Sequence, residues 1–427
     1  PSAYGEARPT APDTTFSPDY RWPIDISRHL SGTFGETRSA HFHTGLDMKT
    51  WGKEGYPVFA TEEGYISRIA ISAQGYGKVL YITHPNGYTS VYAHLQRFTP
   101  AIQRFIDSIR VRRDYRFEID LDLGYAENAA SLGQKKPQDP RFPVNRGQRI
   151  AYSGSSGIGP PHLHFELRDP AEIALNALEY GIDVKDQVTP TIRSMMVLPL
   201  SPESRVNGSA RPQLIKVESL TNEGFDFGQI EVQGPIGVAF DIYDGADEVT
   251  NKYAFYEAWL INHHSEYPDT VFHQRIDALE FSQGDAMFVD RLKAPGSLRR
   301  SYQAFFPQEG PEVPFYKKVR PGPGVGGALD PTDSVQRFEL LVKDFHGNES
   351  RAYYELVPHV SSRESTRMTA SSKATASSPS REHHNPTEHP FDWYWQTNWV
   401  SPSDSVAWSL ATLGPTTTQD PSLTQTS

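Results

Sequence analysis

The segment from Pro161 to Leu167, PHLHFEL, limits the fold more than any other stretch of this chain. Phe165, Glu166 and Leu167 read as strand, and alternate side chains of a strand share one face. His162 and His164 then point into one cavity, while Leu163 and Phe165 pack behind it. In a helix the two rings would diverge by roughly 200°, and a shared site would be lost.

Residues of the same chemical type recur in HFHTGLD, from His41 to Asp47, and in YAHL, from Tyr92 to Leu95. Zinc takes imidazole nitrogen and carboxylate oxygen at roughly 2.0 to 2.2 Å, and a catalytic zinc keeps three protein ligands with a fourth position for water. The chain has no cysteine, so disulfides and thiolate ligands drop out and any zinc must be held by His and carboxylate. His43 and Asp47 flank Thr44, Gly45 and Leu46, where the glycine is expected to permit a sharp path that brings a loop histidine and an early-strand carboxylate to one metal. Taken singly, His43 also reads as a surface histidine in a turn and Asp47 as a cap. His41 competes with His43 as a ligand, but the glycine spacing favours His43 and leaves His41 at the cleft rim or in a structural hydrogen bond. Tyr92 has the strand parity of His94, which allows it to line the cleft, although a lone aromatic more often belongs to the core.

The segments HFHTGLDMKT, GYTSVYAHLQ and GPPHLHFELRD, with GKEGYPVFATEEGYISRI and VNRGQRIAYSGSSG between them, resemble the LytM/lysostaphin-type zinc metallopeptidases, which cut peptide cross-links in bacterial cell walls. The likeness covers roughly Trp22 to Asp183 and is nearest to exported, Bacteroidetes-like versions that carry a module after the catalytic domain. One departure is Pro160-Pro161, where a Gly-Pro pair is usual. The resemblance implies that His43, Asp47 and His164 bind zinc and that His94 and His162 are catalytic. It also implies a zinc-activated water, its pKa lowered from 15.7 toward about 7, that attacks a peptide carbonyl. His162, beside ligand His164, is then the first choice for the general base that returns its proton to the leaving amine, a role worth typically about 10²- to 10⁴-fold. His94 would orient the water or stabilise the oxyanion, and the division of labour between the two stays open.

With 427 residues, a net charge of −11 and a pI near 5.8, the chain should form two or three domains. Its acidity argues against nucleic acid, which rewards clustered Lys and Arg. No apolar run reaches the roughly 18 residues of a membrane span. The start at Pro1, without methionine, reads as a processed product, and so as a protein exported to the periplasm or cell envelope.

Residues 1–20, rich in Pro, Thr, Ser and Ala, read as a flexible arm. Residues 21–187 form the expected peptidase domain, an antiparallel sheet of strands alternating between turn signals such as Gln74-Gly75 and Asn86-Gly87. An insert at 98–142 interrupts it, with a helix predicted from Ile102, Phe105, Ile106 and Ile109 and loop in the remainder, acting as a wall or lid of a groove. A boundary is expected at Val188 to Ile192. Over 188–359 the stretches IGVAFDIYDGAD, YAFYEAWLIN, AMFVDRL, SYQAFFP and RFELLVKDFHGNESRAYYELV predict short strands of an Ig-like β-sandwich, and DFHGNES resembles a turn of Ig-like bacterial extracellular modules. His263, His264 and His346 lie there and are expected in solvent rather than at a second metal. Residues 360–427 form a Ser/Thr/Pro-rich tail in which FDWYWQTNWV stands out as a segment able to dock on another surface.

Two functions follow. The first is a zinc endopeptidase acting on stem or bridge peptides of peptidoglycan. The second is a non-catalytic wall-binding or hydrolase-regulating protein on the same scaffold with a protein partner, although relatives of that kind have typically lost metal ligands that this chain keeps. A metallopeptidase acting on proteins would share the chemistry of the first and differ in groove shape.

Overall fold

The computed structural model describes residues 19–359 other than 27, 39–40, 113–114, 124–141, 265–267, 297–300, 309, 320–328 and 330–333. The arm to residue 18, most of the second half of the insert and the Trp-rich tail lie outside the described residues.

Alternating runs between glycine turns become antiparallel strands, as their period of two requires. In chain order they are β1 (Leu30–Gly32), β2 (Leu46–Lys49), β3 (Pro57–Phe59), β4 (Gly64–Ile71), β5 (Lys78–Thr83), β6 (Thr89–Ala93) and β7 (Leu95–Phe98). Helix α1 (Pro100–Arg112) follows, then β8 (Ile119–Asp122), β9 (Pro143–Val144), β10 (Arg149–Ser153) and β11 (His162–Arg168). The main sheet runs β1-β2-β11-β6-β5-β4-β8, and β3, β10 and β7 form a smaller one. The β5–β6 hairpin turns at Asn86-Gly87, where Gly87 holds φ +85°. β11 lies between β2 and β6, with His164 opposite Asp47 on one side and Ala93 on the other. Three segments distant along the chain thus become neighbours.

Helix α1 forms as its spacing predicts, burying Ile102 and Ile106. The stretch after it is not all loop: β8 pairs with β4, its Ile119 and Leu121 buried and its Asp120 and Asp122 turned out. Its four residues IDLD alternate strictly, a signal that the surrounding turn residues obscure. Tyr20, expected in the arm, is 1% exposed. Its hydroxyl accepts a hydrogen bond from Asn86 Nδ2 at 3.2 Å, so the ordered fold includes the arm's last residue.

Beyond residue 190 the described residues form two further sheets, of six and eight strands. Their strands pair antiparallel except Phe225–Gln233, which runs parallel to Glu349–Pro358. AMFVDRL, expected as a strand, instead makes a short helix, Met287–Asp290, followed by the strand Arg291–Lys293. A short apolar run has no period that separates the two states, and the helix buries Met287, Val289 and Asp290. The architecture is mainly β throughout.

The core does not stop between the halves. Phe42 packs edge-on against Phe315 with centroids 5.0 Å apart, and the short strand Ala174–Leu175 joins β11 to Ala278–Leu279. Tyr253 donates its hydroxyl to Leu30 O at 2.7 Å, and Lys49 Nζ donates to Asn251 Oδ1 at 2.6 Å.

Candidate metal centre

His43, Asp47 and His164 converge as the pairing of β2 with β11 dictates. His43 Nε2 lies 3.0 Å from Asp47 Oδ1 and 3.0 Å from His164 Nδ1, and His164 Nδ1 lies 2.9 Å from Asp47 Oδ1. A tetrahedral zinc with bonds near 2.0 Å needs donor separations of about 3.3 Å, so a few tenths of an ångström of relaxation would seat one ion. All three residues are buried, and the ring nitrogens are already aimed. His43 donates from Nδ1 to Thr33 O at 2.7 Å, which leaves the lone pair on Nε2 facing the other donors.

Electrostatics point the same way. Burial pulls the pKa of His164 down, but its hydrogen bonds to Asp47 and Glu166 and their charges outweigh that and hold it at about 9. Burial pushes Asp47 up, yet His43, His162 and His164 bring its carboxyl well below the usual range. With Asp47 and Glu166 on its two nitrogens, His164 holds a proton that a bound cation would displace from Nδ1. The site therefore fits the metal that its donor chemistry suggests.

Around the donors lies a layer that the sequence reading did not single out. His164 Nε2 donates to Glu166 Oε1 at 2.9 Å, the carboxylate–histidine arrangement that fixes a ligand's tautomer. Glu166 is fully buried and receives Thr44 Oγ1 at 2.7 Å, the Tyr76 hydroxyl, and Arg168 Nε and Nη2 at 2.9 and 2.7 Å. Arg38 Nη2 donates to Asp47 Oδ2 at 2.8 Å, which leaves Oδ1 to the histidines. His162, His164, Glu166 and Arg168 share one strand parity, so the periodicity that paired the two histidines also pointed to the other two.

Gly45 serves the site through space rather than through a glycine-only dihedral. A Cβ there would lie 2.4 Å from Phe165 O and 3.0 Å from His164 Cε1, so its absence lets the His43–Asp47 loop sit directly against β11. Gly32 does the same for Arg38 and Asp47, where a Cβ would come within 2.4 and 2.8 Å of their polar atoms.

The other two histidines face this cluster. His162 donates from Nδ1 to Pro160 O at 2.7 Å, and its Nε2 stands 3.4 Å from Asp47 Oδ1. His94 donates from Nδ1 to Ser156 O at 2.9 Å, with its ring 4.5 Å from that of His162. Burial, with His162 and His164 adding to it, lowers the pKa of His94 to about 4. Its placement departs from simple strand parity: β6 ends at Ala93 and His94 adopts φ +56°, which turns the ring to the site. Tyr92 does not line the cleft. It is fully buried and bonded through its hydroxyl to Thr61 and Ser90. His41 is exposed and outside the donor cluster. The Pro160-Pro161 pair is absorbed in the site's support, since Pro160 O orients His162 and Pro161 O accepts from Thr50 Oγ1 at 2.9 Å.

A mainly-β scaffold carrying two histidines and an aspartate around one point, with two further histidines alongside, defines a metallopeptidase-like centre. Residues 41–107 match the model of Peptidase family M23. The matched stretch holds His43, Asp47 and His94. Among similar proteins, an uncharacterized metalloprotease of Haemophilus influenzae is 26% identical over 154 residues, 34% of this chain and 24% of that protein. The murein hydrolase activator NlpD of Escherichia coli is 26% identical over 161 residues, 38% of this chain and 31% of its own length. The chain thus spans about a quarter to a third of the length of these two relatives. Solved structures with similarity include a zinc-containing peptidase from Vibrio cholerae, at 20% identity and TM-score 0.25 over 38% of this chain and 40% of that one. Another is the catalytic domain of the M23 protein EnpA from Enterococcus faecalis, at 22% identity and TM-score 0.25 over 39% and 98%.

Proposed function

We propose that this protein is a zinc-dependent endopeptidase of the cell envelope that hydrolyses peptide bonds in the stem or bridge peptides of peptidoglycan. The observation that carries the reading is the completeness of the centre: three donors within 3.0 Å of one another, a buried carboxylate behind one of them, and two oriented histidines beside them.

His43 Nε2, Asp47 Oδ1 and His164 Nδ1 would hold the ion. Zinc, when bound, lowers the pKa of a water toward about 7 and polarises a carbonyl. His162 and His94 each spend Nδ1–H on a backbone carbonyl, which fixes Nε2 as the proton acceptor on the cleft side. His162, 3.4 Å from Asp47 Oδ1, takes the proton of the attacking water and passes it to the leaving amine. His94, kept neutral at working pH by its burial, orients the reacting groups. On the His94 side Lys78 Nζ donates to Gln96 O at 2.6 Å, and Arg110 of α1 acts on Lys78 electrostatically.

The test is mass spectrometry of fragments released from defined muropeptides. Zinc-loaded protein should yield new amine and carboxyl ends, and chelation should abolish them. Stoichiometric zinc without release from any cell-wall preparation would contradict the proposal. A second reading has its own support in the relatives named murein hydrolase activators: this chain would act on a partner hydrolase. Under that reading, His162→Ala would leave the wall-lytic effect of an added hydrolase intact.

A further inference from the structure

The joint between the two halves holds a second cluster of ligand-type side chains, assembled from three places. They are the linker around Asp186, the end of the strand Ile236–Ala246 at Asp244, and the turn from Asp344 to Asn348. Asp186, Asp344 and His346 each present a ligand atom within 4.8 Å of the others, with His346 exposed as expected. Asp244 lines the same cavity as Asp186 and His346. It is 5% exposed, and its Oδ1 has no hydrogen-bond partner among the described residues.

The carboxylates are held in place. Asn348 donates from its backbone N to Asp344 Oδ1 at 2.8 Å and from Nδ2 to Oδ2 at 2.6 Å, and the same Nδ2 reaches Asp186 O at 3.1 Å. Val188 N donates to Asp186 Oδ1 at 2.9 Å. Arg28, His29 and Lys185 also line this cavity. Lys185 Nζ stands 3.9 Å from Asp247 Oδ2 and its side chain is 73% exposed, while His346 Nε2 is 3.3 Å from Asp183 Oδ1. Burial, then Asp344 and Asp186, push the Asp244 carboxyl up to about 8. Buried carboxylates are stable when paired or when they coordinate a metal, and here no basic side chain among the described residues is paired with Asp186, Asp244 or Asp344.

We propose that Asp186, Asp344 and His346, with Asp244 alongside in the same cavity, bind a divalent cation of the hard, oxygen-preferring class. Calcium accepts many carboxylate and carbonyl oxygens in flexible geometry, and manganese accepts carboxylates together with an imidazole. Either ion would pin the linker and the Asp344 turn to the strand carrying Asp244. The site is separate from the His43, Asp47 and His164 centre and independent of the reaction proposed there.

The experiment titrates the full chain, already loaded with one zinc and freed of excess metal, with CaCl2 and separately with MnCl2. Heat of binding and Tm are both recorded. Saturable uptake of one ion per chain by either metal is expected, with a Tm that rises with ion concentration. Asp244→Asn should abolish the uptake and Asp186→Asn should weaken it at least tenfold, while zinc content stays at one per chain in both. Asp186 sits on the half-exposed linker, so its variant decides the matter if Asp244→Asn does not fold. No saturable uptake of either ion, or uptake unchanged by Asp186→Asn, would overturn the proposal.

Discussion

Asp47 and Glu166 hold His164 from its two ring nitrogens, each at 2.9 Å, but they have different tasks. Asp47 would face a bound ion with Oδ1, whereas Glu166 faces only protein. Glu166→Gln should therefore leave the three donors in place and lower zinc affinity by about 10- to 100-fold, measured by competition with a chromogenic chelator; unchanged affinity would remove Glu166 from the account. His162→Ala should keep stoichiometric zinc and lose about 10²- to 10⁴-fold in turnover; loss of zinc in that variant would make His162 a ligand instead. The donors were legible because His-x-Gly-x-Asp and His-x-His carry their own spacing. Glu166 and Arg168 share the parity of His164, but an acid and a base in a strand usually face solvent, so their burial is not signalled by sequence. Thr33, Arg38 and Tyr76 were not legible, since their contacts depend on how separate segments meet in space.

At the level of strands and loops, the chain solves a close-approach problem. The His43–Asp47 loop must touch β11, and only glycine at position 45 allows it, with a would-be Cβ 2.4 Å from Phe165 O. Gly45→Ala should cost about 1–3 kcal/mol through overpacking and weaken zinc binding in parallel; an unshifted denaturation midpoint would contradict the geometry. The short helix Met287–Asp290 makes a separate prediction. Burial raises the pKa of Asp290, with Arg291 and Gln303 opposing only in part. A raised folded-state value means that the contribution is fully present below the ordinary carboxylate pKa of about 3.9 and is lost as pH rises through the folded value. Asp290→Asn should thus flatten the decline of Tm above that pH, and an unchanged pH profile would show that Asp290 does not titrate differently on folding. Strands with strict alternation and glycine turns could be read from sequence. Met287–Asp290 could not, because a brief apolar run suits helix and strand alike.

Over the whole molecule, the second half acts on the metal centre through contacts rather than chemistry. Thr33, whose carbonyl orients His43, receives Ala254 N on its Oγ1 at 3.2 Å. Phe315 packs on Phe42, the neighbour of His43, and Tyr253 bonds Leu30 O. A chain cut at residue 187 should accordingly lose cooperative thermal unfolding and bind zinc more weakly; a truncated form with native affinity and a sharp transition would make the halves independent. Composition and strand rhythm indicated a change of pattern near residue 188, but sequence carries little trace of side chains that meet across it, such as Phe42 and Phe315. The most direct measurement is anomalous diffraction at the zinc edge from crystals of the zinc-loaded protein. The account predicts one peak at about 2.0–2.2 Å from His43 Nε2, Asp47 Oδ1 and His164 Nδ1 together. A zinc peak elsewhere, or one touching fewer than these three residues, would contradict it.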